Sequence, residues 1–145
     1  WVIMLPVTIW FSAPGPWTPW MSVGWTIWAA GLVIETIADA QKFAAKRRPG
    51  GGSRWMDTGL WKYSRHPNYF GEILVWWGLF VFAVPFLHGA AFAVVIGPVF
   101  ITLLLLFVSG IPLLERSADE KYGDDVAYRE YKARTSILVP LPPRG

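Results

Sequence analysis

One run of residues carries more chemistry per position than any other: Ser64-Arg65-His66-Pro67-Asn68-Tyr69-Phe70-Gly71-Glu72, followed at once by Ile73-Leu74-Val75-Trp76-Trp77. Proline suits the first position of a helix, where its fixed φ is helical and its missing N–H is no loss. Pro67 therefore predicts a helix start, with unpaired first-turn N–H groups beside a guanidinium (Arg65) and an imidazole (His66). Such a corner is an anion site, best suited to phosphate. Asn68, Glu72 and Trp76 follow at i, i+4 and i+8, on one face of that helix. The bland alternative for Arg65 and His66 is a basic pair at a membrane boundary, reaching lipid phosphates. For Glu72, an ionisable group one turn inside an apolar run is costly and points to function by default. Its structural alternative is a partner for Arg65 or Lys62.

Two other segments hold reactive side chains. Glu35 and Asp39 stand at i, i+4 with Lys42 and Phe43 close by. They read either as a buried ion pair between helices or as the opposite wall of a ligand site. Near the C-terminus, Glu115, Arg116, Asp119 and Tyr122 share a helix face, and Tyr128, Tyr131 and Lys132 follow. Tyrosines beside a basic cluster can sandwich a nucleotide base. Glu120, Lys121, Arg129 and Glu130 read as solvated helix surface, and His88 as an interfacial residue without a role. There is no GxGxxG or P-loop pattern and no GxSxG elbow. Two histidines without an HExxH arrangement argue against a catalytic metal.

The elements that must position these residues are apolar. The chain has 145 residues, 54% hydrophobic and 16% charged, with ten Trp, nine Phe and no Cys. That excess of aromatic residues fits a protein anchored at lipid interfaces, and the lack of Cys excludes disulfides and thiolate metal sites. A net charge of +3 is too small to indicate nucleic acid. Trp1 to Phe11 reads as the tail of a membrane helix kinked at Pro6, and Ser12 to Pro19 as an uncharged turn. The absence of an initial Met and the shortness of that first stretch read as a piece of a longer chain. Trp20 to Ala38, with Glu35 as its one charge, predicts a complete span. Asp39 to Arg65 predicts a basic loop, with Pro49-Gly50-Gly51-Gly52-Ser53 as a flexible hinge. Phe70 to Phe86 and Ala90 to Leu114 predict two more spans, joined by Leu87-His88-Gly89. Gly97-Pro98 and Gly110-Ile111-Pro112 predict kinks in the last of them. A helix from Glu115 ends at Gly123, Asp124 caps another over Asp125 to Arg134, and the proline-rich end lies against the rest. All basic residues fall in 42–65 and 116–144, so both regions share one side, which the positive-inside rule makes cytoplasmic.

The stretch Gly59-Leu60-Trp61-Lys62-Tyr63-Ser64-Arg65-His66-Pro67-Asn68-Tyr69-Phe70-Gly71-Glu72 resembles the hallmark of the DUF1295 membrane proteins. These group with the C-terminal domain of steroid 5-alpha-reductases and with the sterol C14 and C7 reductases. Glu35 to Phe43 is similar to the upstream box of that family. Gly110 to Glu115 and Tyr128 to Ser136 are similar to its C-terminal boxes. The likeness runs in order over most of residues 24–143. It implies a multi-pass helical protein that binds NADPH from the cytoplasmic side and reduces an activated carbon–carbon double bond in a lipid-like substrate. Carried over by motif position, Arg65, His66, Asn68 and Tyr69 would bind the cofactor. Lys42, Arg116, Asp119, Tyr122 and Tyr131 would close around it, and Glu72 would orient Arg65 or Asn68. Members of the family have further spans upstream, where the residues that polarise the substrate carbonyl lie, so no proton donor is assigned. The isoprenylcysteine carboxyl methyltransferases and phospholipid methyltransferases share an Arg-His-Pro-x-Tyr-x-Gly core and use S-adenosylmethionine. Asn68, Glu72 and the Asp39-x-Gln41-Lys42 box favour the reductase side. A non-enzymatic scaffold that only binds lipid phosphate is the third reading.

The sequence thus predicts one all-α membrane domain over residues 1–145, the C-terminal part of a longer enzyme. It has three complete spans, a partial N-terminal one and a helical cytoplasmic tail. Its partners are the bilayer and a lipid-like small molecule, and no nucleic acid.

Overall fold

The structure is a computed structural model that describes residues 2–5, 7, 8, 15–48 and 54–144. Pro6, residues 12–14 of the turn before the first long helix and the Pro49–Ser53 hinge lie outside the described residues. Among those described the chain is helical, with no strand and a single isolated bridge.

Helix α1 is Pro19–Arg47, α2 is Pro67–Ala83, α3 is Ile96–Leu103, α4 is Ile111–Tyr122 and α5 is Val126–Arg134. Among the described residues, three helical stretches are long and apolar enough to cross a membrane: Pro19–Arg47, Pro67–Phe86 and Gly89–Tyr122, the last with a mean hydropathy of 2.8. The protein is an integral membrane protein. Val2–Met4 forms a single 3₁₀ turn against α3.

Helix α1 does not stop where the charges begin. Its 29 residues extend about 43 Å at ~1.5 Å per residue, against about 30 Å of hydrocarbon. The predicted loop from Asp39 is therefore helix as far as Arg47. Ala38-Asp39-Ala40-Gln41-Lys42 and Ala44-Ala45-Lys46-Arg47 are rich in good helix formers, and the first breaker is Pro49. These extra turns become one wall of the site.

Helices α1 and α2 pack antiparallel through glycines spaced seven apart, Gly24 and Gly31 facing Gly78 and Gly71. A methyl group at Gly31 would lie 2.6 Å from the Gly71 carbonyl oxygen, and one at Gly78 would lie 2.5 Å from the Trp28 nitrogen. The backbones touch, which is how membrane helices gain packing energy where lipid is as apolar as leucine. The indole N–H of Trp77 donates to Thr102 Oγ1 at 3.1 Å and ties α2 to α3.

The third span is irregular at both ends. A 3₁₀ stretch, Gly89–Val95, precedes α3. Gly97 and Pro98 fall in the first turn of α3 without interrupting it. After α3 the chain widens to a π-helix at Leu104–Val108 and breaks at Gly110, with φ −93° and ψ −103°. Pro112 then sits in the first turn of α4. Gly123 ends α4, and Asp125, one residue later than predicted, caps α5 by accepting from the Ala127 N–H at 2.8 Å.

Candidate functional site

Pro67 is the first residue of α2, as its chemistry requires, and His66 is the N-cap with an irregular backbone. The turn before it is pinned by the C-terminal segment. Ser64 pairs with Ser136 in the parallel bridge. The Arg65 N–H donates to Ser136 O at 2.8 Å, Ser64 Oγ donates to Leu138 O at 2.7 Å, and the Leu141 N–H donates to Tyr63 O at 3.1 Å. Ser64 is fully buried and its hydroxyl also accepts the His66 N–H.

Pinning the turn aims Arg65 and His66 at α4 and α5. Glu115 receives both: His66 Nε2 lies 2.8 Å from Oε1, and Arg65 Nη2 lies 3.3 Å from Oε2. Lys132 joins at 3.2 Å from Glu115 and 2.6 Å from Asp119, while Arg65 Nη1 donates to the Lys132 carbonyl at 3.1 Å. Tyr128 completes the chain by donating to Asp119 at 3.1 Å. Burial first, and then this bond to a carboxylate, hold the Tyr128 phenol above its ordinary value. Tyr131 donates to Trp61 O at 2.7 Å, and burial pushes its phenol up as well. Both tyrosines are therefore hydrogen-bond donors at neutral pH.

A cleft of about 690 Å³ opens between the last turns of α1, the 54–66 loop, α4 and α5. The loop is set against α1 by two bonds: the Leu60 N–H donates to Gln41 Oε1 at 3.0 Å and the Trp61 indole to Ala38 O at 3.0 Å. Gly59 has a φ of +62° where it faces the Gln41 side chain, a conformation and a space open to glycine. Lys42 lies over the Trp61 ring, 5.2 Å from its centroid. Trp55 is the centre of an aromatic cluster, with Tyr122, Tyr128 and Tyr131 at 5.8, 5.4 and 6.5 Å and Arg54 at 4.9 Å. Its indole N–H is buried without a hydrogen-bond partner. Six cations line the cleft (Lys42, Lys46, Arg48, Arg54, Arg65 and Lys121) against two carboxylates, Asp57 and Glu115.

Of the predicted site residues, the cleft brings together Lys42, Arg65, His66, Tyr122 and Tyr131. Asn68, Tyr69, Arg116 and Asp119 are not among its lining residues. Tyr69 stacks on His66 at 5.8 Å, and Asn68 Oδ1 is buried without a partner. Asp119 is linked to the cleft through Tyr128, which lines it. Arg116 projects outward, with 80% of its side chain exposed, and pairs with Glu120. Glu72 does not orient Arg65: the carboxylate that does is Glu115. Glu72 instead faces Glu35 and Asp39 across the α1–α2 contact, next to the Trp76 indole. Trp55 and Arg54 were not singled out from the sequence, and Gln41 was read only as part of the Asp39-x-Gln41-Lys42 box. A tryptophan inside a polar, glycine-rich loop was the available signal for the first.

Residues 1–135 match the model of the DUF1295 family, described as a protein of unknown function. The chain is 38% identical over 81 residues to methanethiol S-methyltransferase 1 of Bradyrhizobium diazoefficiens, covering 56% of this chain and 24% of that protein. It is 37% identical over 124 residues to 3-oxo-5-alpha-steroid 4-dehydrogenase 1 of Macaca fascicularis, covering 85% of this chain and 41% of that protein. The chain thus spans less than half the length of either relative. No solved structure matches it.

Proposed function

Since the chain belongs to the DUF1295 family, we propose that it is the cofactor-binding half of a membrane-embedded, NADPH-dependent reductase. The substrate is a steroid- or lipid-like molecule with an activated carbon–carbon double bond. The observation that carries this reading is the charge and aromatic lining of the cleft. Six cations against two carboxylates, beside an aromatic cluster with an unpartnered buried N–H, suit a ligand that combines several phosphates with flat rings. Arg and Lys pair with phosphate oxygens by charge-assisted bonds, and tyrosine and tryptophan faces take bases. S-adenosylmethionine has the ring but no phosphate, and it would bring a sulfonium cation among these charges.

In this reading Lys42, Arg54 and Arg65 hold phosphates, with His66 beside them, and Trp55, Tyr122 and Tyr131 line the ring pockets. When bound, NADPH supplies the hydride. Glu115 and Asp119 act through others: they fix the directions of Arg65, His66 and Lys132. The cleft faces the cytoplasm, where the nucleotide is available.

The test is separate titration of NADPH and S-adenosylmethionine into the full-length protein in detergent, followed by tryptophan fluorescence and thermal shift. Saturable binding of NADPH alone is the expected result. Binding of S-adenosylmethionine alone would overturn the proposal in favour of a methyltransferase, in line with the Bradyrhizobium relative. Binding of neither would favour a scaffold.

A further inference from the structure

Behind the motif, on the other side of Arg65, lies a second cleft of about 320 Å³. It is lined by the end of α5 and the strap that follows, including Arg65, Lys132, Arg134, Thr135, Ser136 and Arg144. Four cations line it, and no Asp or Glu does among the described residues. Its geometry is built by the backbone. The Arg144 N–H donates to Arg134 O at 3.0 Å, which fixes these two arginines side by side at the rim.

Two polar groups here lack a protein partner. Thr135 is only 5% exposed, and its hydroxyl is buried with nothing to bond. The Arg65 Nε–H is buried and unpaired too, although both terminal nitrogens of that guanidinium are engaged. Buried donors in folded proteins are nearly always satisfied. Each of these two is a donor; Arg65 and Lys132 are already paired with Glu115, while Arg134 and Arg144 at the rim face no carboxylate among the described residues. An anion rich in acceptor oxygens suits both the unpaired donors and the two rim arginines. A tetrahedral phosphoryl group meets both demands, because it accepts from several directions and pairs with guanidinium groups in two-pronged fashion.

We propose that this cleft is a second anion site that binds a phosphoryl group, separate from the cofactor cleft. Arg134 and Arg144 supply charge from the rim, and Thr135 and the Arg65 Nε–H supply donors from the floor. Two sources share this chemistry: the headgroup of an anionic phospholipid, and soluble phosphate. The proposal goes beyond the reductase reading and stands without it, since among the described residues the only lining residue the two clefts share is Arg65.

The experiment uses the full-length protein in nanodiscs of phosphatidylcholine alone, titrated with inorganic phosphate at constant ionic strength set with chloride. A parallel series adds phosphatidylglycerol to the discs, and native mass spectrometry counts the lipids retained. Thermal midpoint is read in both. Saturable stabilisation by phosphate identifies the soluble source, and stabilisation and retention of phosphatidylglycerol identify the lipid. In either case Arg134→Gln and Arg144→Gln each weaken the effect about tenfold, as loss of one charge-assisted bond requires. Both residues are exposed, so the variants fold. NADPH affinity stays unchanged in both, which separates this site from the other. Neither ligand giving a saturable response, or responses that survive both substitutions, would overturn the proposal. So would a parallel loss of NADPH affinity, because the cleft would then belong to the cofactor site.

Discussion

Glu115 is where the motif, α4 and α5 are tied together, and Glu115→Gln removes its charge with almost no change of shape. Three cationic or protonatable groups converge on that carboxylate: His66 at 2.8 Å, Lys132 at 3.2 Å and Arg65 at 3.3 Å. The amide of Gln keeps one acceptor for His66. Lys132 is the least affected, because it is 30% exposed and keeps Asp119 at 2.6 Å. Arg65, 13% exposed, is left with the Lys132 carbonyl as its side-chain acceptor and no opposing charge. Breaking a fully buried pair from one side costs about 3–5 kcal/mol. With partial exposure and one surviving bond, about 2–3 kcal/mol is the appropriate range here. For a chain of this size that is a drop of roughly 4–12 °C in thermal midpoint, measurable in detergent or nanodiscs. Glu120→Gln, in an exposed i, i+4 pair with Arg116, is the control and shifts stability by less than about 0.5 kcal/mol. Combined with Arg65→Gln, Glu115→Gln shows a coupling of about 1–2 kcal/mol. A Glu115→Gln protein as stable as its parent, or strictly additive costs in the double variant, would refute the assignment of Glu115 as the partner of Arg65.

Three further outcomes follow from the same structure. Gly31→Ala destabilises by about 1–3 kcal/mol through overpacking against the Gly71 carbonyl; helix propensity alone would stabilise it, so a rise in thermal midpoint shows that α1 and α2 do not touch there. Burial raises the Tyr131 phenol above its unfolded value near ~10, so the stability it contributes is complete below about pH 10 and is lost as pH rises through the folded value. Tyr131→Phe should cost about 1 kcal/mol at pH 7 by removing the bond to Trp61 O and flatten the alkaline decline, and an unchanged slope in pH-resolved unfolding would contradict the burial argument. Arg65→Ala weakens NADPH binding by about 1.5–3 kcal/mol in a fluorescence titration; unchanged affinity in a folded variant takes Arg65 out of the cofactor site.

What could be read from the sequence was what single residues dictate. Pro67 announced the start of α2, Gly110 and Pro112 announced a break, and the apolar runs announced the three membrane-crossing stretches. The end of α1 was misplaced because polarity marks where a membrane ends, while only a breaker marks where a helix ends. Glu115 was visible as a charge after a long apolar run, but its pairing with Arg65 spans three elements, and periodicity says nothing about which helices adjoin. Glu72 was given that role because it is near in sequence. The equal seven-residue spacing of Gly24 and Gly31 and of Gly71 and Gly78 was present and is the legible sign of the α1–α2 contact. The π-helix at Leu104–Val108 has no such sign, since its residues are ordinary apolar ones.

The strap from Thr135 to Arg144 shows why a family pattern and a site need not end at the same residue. The family match stops at residue 135, yet the next residues hold the motif turn in place. They do so through main-chain atoms: the carbonyls of Ser136 and Leu138 and the N–H of Leu141. Any residue offers those carbonyls, and any residue but proline offers the N–H, so the contacts leave no side-chain signature for a sequence pattern to record. Pro140 and Pro142 flank the Leu141 N–H that bonds the motif turn, which keeps the strap extended without consuming that donor. Without these residues the Ser64 hydroxyl and the Arg65 N–H lose their acceptors, and Ser64 is fully buried. Each orphaned group would cost about 1–3 kcal/mol, a large part of the few kcal/mol that separate a folded chain from an unfolded one. The direction in which Arg65 and His66 point is therefore set by a segment whose own side chains need not be conspicuous at all.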